Sequence, residues 1–236
     1  MLLEYIIAAD LGQVNDPTAI VVAERRQMPT GRRERVTNPA AYFDGGEHLA
    51  PVMNLAQTAG VYDLVHLERL PLGTSYLAIP ETLRTIEARI RQRWVELVWE
   101  ETEQSASLSA APVALVVDQT GVGRPVVDLL REHGRDPVAI TITGGDQVIR
   151  AAATEYRVPK RNLAGAVQAA LQARRLRAAA GLADWPALKR ELQNFKAKIS
   201  LSGHDAYGAG DDWREGNHDD LVLAVALAIW YGEAGG

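Results

Sequence analysis

YIIAADLGQVNDPTAIVVAE, Tyr5 to Glu24, holds two short apolar runs on either side of a polar turn. The first run ends in Asp10, Gly12, Asn15, Asp16 and Pro17 supply turn residues, and a β-branched run returns from Thr18 to Ala23. This pattern predicts a β-hairpin. Tyr5 to Ala9 lacks the alternation of a half-wetted strand, so it is expected in the middle of a sheet covered on both faces, with Asp10 at its carboxyl end. Taken alone, an acid there reads as turn chemistry or a helix cap. Further acids in similar places change that weighing.

The chain has 236 residues, 47% of them hydrophobic, enough for one large α/β domain or two small ones. No internal repeat or linker divides it, so a single domain over 1–236 is expected. The lack of cysteine excludes a disulfide framework, a thiolate metal site and a Cys nucleophile, and suits a reducing compartment such as the cytoplasm. Carboxylates, histidine and main chain are left as metal ligands. The opening MLLEYIIAAD has no basic flank and is interrupted by Glu4, so no export signal is read. The longest apolar run, Leu221 to Tyr231, falls short of the roughly 20 residues a membrane helix needs and predicts a buried helix. A net charge of −5 argues against a generic polyanion coat, while leaving room for a nuclease whose acids cluster at a metal.

Working outward, a further strand is expected near Arg35 to Phe43, and Val61 to Leu70 mixes apolar and polar positions as a strand near a sheet edge would. His66 and Glu68 on it read as scaffold. Leu83, Ile86, Ile90, Trp94 and Leu97 recur at helical spacing, predicting a helix from Pro80 to Glu100 that covers one sheet face. APVALVVDQT is a second buried strand, ending in Asp118. Gly121 and Gly123 make the turn after it, a short helix runs from Arg124 to Gly134, and Val138 to Thr143 is another strand. Strand, helix, strand in this order argues for parallel pairing. Helices are then expected over Asn162 to Ala179 and Trp185 to Phe195, and an exposed strand over Phe195 to Leu201, where apolar residues alternate with Lys196 and Lys198. A turn-rich stretch, Ser202 to Gly216, precedes a last helix capped by Asn217, with His218, Asp219 and Asp220 in its first turn and an apolar body.

An acid in a first helical turn is ordinarily explained by the helix dipole. Here the helix must be buried, so its acidic end lies near the sheet. If strand order sets Asp10 and Asp118 side by side, all these acids converge. Like charges so close raise one another's pKa and need a cation, and a hard divalent ion with oxygen ligands is the economical solution. Two such ions could activate water and stabilise the leaving oxygen of a phosphodiester. His218 could be a ligand, assist proton transfer, or merely satisfy backbone beside the cap.

Asp10 with Gly12 and the run Asp16 to Val22, VVDQTGVG (Val116 to Gly123), VPKRNL (Val158 to Leu163) and HDDLVLAVALA (His218 to Ala228) together resemble the nuclease domain of tailed-bacteriophage terminase large subunits, in the family's order and over nearly the whole chain. The resemblance implies an α/β, RNase H-like mixed sheet flanked by helices on both faces, of the resolvase and integrase kind. It implies Mg or Mn dependence and cleavage of concatemeric double-stranded viral DNA in the host-cell cytoplasm, alongside a packaging ATPase motor, a small terminase subunit and a portal. Carried over by position, Asp10 and Asp118 match the first two metal-binding acids and the Asp219/Asp220 pair holds the third, with Asp220 favoured as direct ligand; Asp16 matches an acid that touches a second metal. The chain departs from the full subunit in showing no GxxxxGK[ST] phosphate loop, so no ATPase domain is expected in it.

Candidate phosphate contacts are Lys160, Arg161, Arg174, Arg175, Arg177, Lys189, Arg190, Lys196 and Lys198, which would fix a duplex without reading its sequence. A Holliday-junction resolvase would use similar acids on the same fold. From other classes, an actin-like ATPase or small-molecule kinase also begins with a strand and an Asp-x-Gly turn, here Asp10 to Gly12, and a non-catalytic packaging scaffold would keep the fold alone.

Overall fold

The computed structural model describes residues 3–12, 16–37, 52–101, 111–201 and 219–234, without the side chains of 34–37, 52–56, 97–101 and 196–201. Strand β1 (Leu3–Asp10) is the predicted buried strand, and every residue from Tyr5 to Asp10 is buried. It lies between its hairpin partner β2 (Ala19–Thr37), antiparallel to it, and β4 (Val113–Asp118), parallel to it. The hairpin continues into β3 (Val52–Arg69), antiparallel to β2, and beyond β4 stands β5 (Val138–Thr143), parallel again. A three-stranded antiparallel meander continued by parallel strands on the other side of β1 is the RNase H-like arrangement.

Three further strands complete the sheet: β6 (Ile149–Arg150), β7 (Glu155–Pro159) and β8 (Leu176–Ala178), in the order β6-β7-β5-β4-β1-β2-β3-β8. None of the three is evident in the sequence. Strand β3 therefore stands one in from the edge, with β8 covering only Tyr62 to Leu64. Strand β2 runs to Thr37, and the rest of the strand expected near Arg35 to Phe43 lies outside the described residues.

Helices cover both faces, as expected. Strand residues alternate between them: Ile6 and Ala8 belong to one core, with α3 (Lys160–Gln172), α4 (Trp185–Leu201) and α5 (Asp220–Ala234), while Tyr5, Ile7 and Ala9 belong to the other, with α1 (Ile79–Glu101) and α2 (Gly123–Glu132). Helix α5 is buried from Asp220 to Trp230 because it packs on four strands, β1 to β4, and on α3 and α4 as well.

Two expectations for the helical segments are corrected. The helix over Asn162 to Ala179 stops at Gln172. Arg174 takes a left-handed conformation (φ 54°), its N–H donates to the Leu171 carbonyl at 3.1 Å and that of Arg175 to Ala170 at 2.8 Å. These two bonds form the Schellman closure that ends a helix, and the chain then turns into β8. The strand over Phe195 to Leu201 is instead the last part of α4: lysine and alanine favour helix, and extending an existing helix adds one bond per residue ordered. At α5, the helix starts at Asp220 and the Asp219 carbonyl accepts its first bond, from Leu223 N–H at 2.9 Å. Asp219 is thus the cap residue; Asn217 and His218, like Ser202 to Gly216, lie outside the described residues.

Candidate active site at the carboxyl end of the sheet

Strand pairing decides which acids meet. Ala9 is level with Val117 across the parallel β1–β4 pair, so one step further Asp10 is level with Asp118. Adjacent strands stand about 4.8 Å apart. Asp10 also pairs with Ala19, and Ala19 with Arg69, giving a transverse row of Asp118, Asp10, Ala19 and Arg69 at one end of the sheet. By alternation, Asp10 follows Ala8, Asp118 follows Val116 and Arg69 follows Leu67, all three on the face that α5 covers. Asp219 and Asp220 begin that helix. With Asp10 and Asp220 9%, Asp219 7% and Asp118 3% exposed, these acids are not ordinary surface caps.

The turns around them are tightly built. Asp118 Oδ1 accepts the Thr120 N–H at 2.8 Å, an Asx-type turn that holds the carboxylate close to its own strand. Gln119 N–H donates to the Ile140 carbonyl and Ile142 N–H to Thr120 Oγ1, both at 2.8 Å, tying the turn to β5. Gly123 opens α2 so close to the Asp118 carbonyl that a Cβ would stand 2.0 Å from its oxygen. After β1, Gly12 N–H donates to Thr18 Oγ1 and the Tyr76 hydroxyl to the Gly12 carbonyl, each at 3.1 Å. Asp16 sits half-buried in this connection, and its carbonyl leaves Gly12 no room for a side chain.

Two residues outside the expected set join the acids. Glu191, on α4, is 6% exposed; one carboxylate oxygen forms an ion pair with Arg69, and Oε2 accepts the Val222 N–H at 3.0 Å. A carboxylate from another helix thus takes one of the amides that a cap side chain ordinarily satisfies. Arg69 Nη2 also lies 3.5 Å from Asp220 Oδ2, and its main-chain N–H donates to Asp184 Oδ2 at 3.1 Å. Burial pushes the Glu191 carboxyl up to about 7; the Val222 N–H and the Arg69 charge oppose the rise, and Asp220 and Asp219 add to it. The signal in the sequence was an acid beside Leu188 and Leu192, on the stripe that α4 buries.

Among the described residues, no three acidic or histidine side chains are gathered closely enough to hold one metal ion. The strand register joins Asp10 with Asp118; the Arg69 and Glu191 contacts tie in Asp220 at the start of α5. The side chains themselves are buried carboxylates on adjacent elements, and carboxylate oxygens are the donors that hard divalent cations take.

The candidate phosphate contacts divide. Lys160 and Arg161 begin α3 at this same end of the sheet, where Arg161 pairs with Asp146 at 2.6 Å. Arg175 bonds Glu233 and the Gly60 carbonyl, each at 2.6 Å, and Arg177 bonds Asp63 at 2.6 Å, so both arginines lace the β3–β8 edge. Arg174, Lys189 and Arg190 are exposed, and the side chains of Lys196 and Lys198 lie outside the described residues. Among the described residues no helix is long and apolar enough to cross a membrane.

No protein-family model matches the chain, and no curated protein does. Solved structures similar to it include terminase nuclease domains. The large terminase nuclease from thermophilic phage G20c is 16% identical with a TM-score of 0.44, the match covering 98% of this chain and 82% of that one. The manganese-soaked human cytomegalovirus terminase nuclease domain is 12% identical with a TM-score of 0.41, over the same shares of the two chains. Values this low carry no more than the likeness itself.

Proposed function

We propose that this chain is a metal-dependent endonuclease that hydrolyses phosphodiester bonds in double-stranded DNA with little base specificity. One observation carries the reading: the β1–β4 register sets Asp10 beside Asp118 on the face covered by α5, which is capped by Asp219 and starts at Asp220. Asp10, Asp118 and Asp220 would hold divalent Mg or Mn, with Asp219 adjacent and Asp16 a further carboxylate for a second ion. Bound there, such ions supply an activated water and neutralise charge on the phosphate under attack.

The chain's own residues prepare this chemistry. Two central strands, hydrogen-bonded on both sides, hold Asp10 and Asp118 at a fixed spacing, and the Thr120 amide restricts the Asp118 carboxylate to one orientation. Burial keeps the acids from bulk water and strengthens their pull on a cation. Lys160 and Arg161, at the same end of the sheet, would contact backbone phosphates, where a positive charge positions a duplex without reading bases. The motif order suggests the setting of genome packaging, with a separate ATPase motor, a small terminase subunit and a portal as partners.

The test is cleavage of supercoiled plasmid by the purified chain with Mg, Mn or EDTA, beside Asp10→Asn and Asp118→Asn. Nicking and linearisation that need the metal and fall by at least about a hundredfold in both variants are expected, since each removes a charged group acting in the transition state. Folded protein that leaves the plasmid intact with either metal refutes the proposal.

A further inference from the structure

Arg69 belongs to none of the motifs that single out the acids, yet it ends β3 in the same transverse row as Asp118 and Asp10. Its backbone is anchored, the main-chain N–H on Asp184 Oδ2 at 3.1 Å. Its guanidinium is shared: it forms an ion pair with Glu191 and lies 3.5 Å from Asp220 Oδ2. Glu191 in turn fastens the start of α5 through the Val222 N–H at 3.0 Å. Side chains this sheltered keep their charges only in the company of opposite ones. The protein therefore brings its own cation to the acid that it would offer to a metal.

We propose that Arg69 is a built-in counter-cation for Asp220, one that a divalent ion at the acidic site must outcompete, and that Glu191 weakens its hold by drawing the guanidinium away. The inference rests on the endonuclease reading. It assigns Arg69 and Glu191 as positioning residues that act through Asp220. Because a guanidinium stays protonated throughout the working pH range, the competition is set by geometry and charge rather than by titration of Arg69. The ion pair holds the start of α5 against the sheet, and a divalent ion would have to draw Asp220 away from it.

Two near-isosteric substitutions pull in opposite directions. Arg69→Gln removes the competing charge, so divalent ions bind more tightly. Glu191→Gln keeps an acceptor for the Val222 N–H and, at pH 8, where a carboxyl pushed up to about 7 is mostly ionised, removes a negative charge near the site and leaves Arg69 to Asp220, so they bind more weakly. A purely architectural role would lower thermal stability in both variants without moving Mn affinity in opposite senses.

The experiment is thermal unfolding and titration calorimetry of the full chain and each variant across a Mn(II) series, with no DNA present. Arg69→Gln is expected to lower the Mn dissociation constant and Glu191→Gln to raise it, each by at least about tenfold, because a unit charge removed beside Asp220 acts through partly buried surroundings that screen it less than water does. Arg69→Lys, which keeps the charge without the guanidinium fork, falls between the parent chain and Arg69→Gln. If Arg69→Gln does not fold, the direction of the Glu191→Gln shift decides. Parent chain that binds Mn while the variants shift together or not at all overturns the inference and leaves the endonuclease standing. Parent chain that binds neither Mn nor, in a parallel titration, Mg overturns both.

Discussion

Replacing Gly123 with alanine tests how closely α2 is docked on the strand that carries Asp118. A Cβ at Gly123 would stand 2.0 Å from the Asp118 carbonyl oxygen, 2.9 Å from its carbon and 3.4 Å from Leu11 Cδ1. The helix start and the strand end would have to separate by about 1 Å for the contact to reach the closest that real side chains make. Neither can do so cheaply, because Asp118 is paired with Ile140 of β5 and the next residue, Gln119, donates to the Ile140 carbonyl at 2.8 Å. Overpacking costs about 1–3 kcal/mol, and a clash with main chain in a central strand belongs at about 3 kcal/mol. At roughly 2–4 °C per kcal/mol for a chain of this size, Gly123→Ala should melt about 6–12 °C below the parent in a calorimetric scan without metal. Gly134→Ala is the control: it has φ +72° but nothing within 4 Å, so it should lose only the left-handed penalty of about 1 kcal/mol. A Gly123→Ala protein that melts within about 2 °C of the parent, or no lower than Gly134→Ala, would refute the close docking.

Arg174→Gly should stabilise the chain by about 1 kcal/mol and raise the melting temperature by roughly 2–4 °C, because Arg174 holds φ 54° in a helix closure that favours glycine; a lower melting temperature would contradict this. Glu233→Gln should alter the acid side of the stability curve. Burial pushes the Glu233 carboxyl up, but hydrogen bonds from Arg175 and Tyr62 and the charges of Arg175 and Arg25 outweigh it, so the net shift is downward from 4.5. A depressed folded pKa contributes stability that is complete above the unfolded value and disappears as pH falls through the folded one. The parent should therefore exceed Glu233→Gln in urea unfolding at pH 7, and the gap should narrow as pH falls below 4.5; a gap independent of pH would contradict the assignment.

Much of this protein is set by local pattern. Tyr5 to Ala9 is apolar at every position, short, and followed by a turn rich in Gly, Asn, Asp and Pro, the pattern of a strand buried on both faces, so β1 and the place of Asp10 at its end could be read directly. The same holds for β4 with Asp118 and for the all-round apolar α5 with Asp219 and Asp220 at its start. Helix α2, ending at Glu132, is closed by the left-handed Gly134, where the Arg135 and Gly134 N–H groups bond the Leu130 and Arg131 carbonyls, each at 2.9 Å. Helix α3 closes by the same two bonds with Arg174 in the glycine position, and that end was invisible because the only local signal of a left-handed residue is glycine.

What the tertiary structure alone decided is the company each acid keeps. Register across more than a hundred residues of chain sets Asp118 beside Asp10, and no local periodicity contains it. Packing of α4 against α5 gives Glu191 the Val222 amide and Arg69 a place near Asp220. Periodicity tells which face of an element must be buried; which side chains meet there depends on how several elements satisfy that burial at once, and this is why Asp10 and Asp118 could be named from the sequence while Arg69 and Glu191 could not.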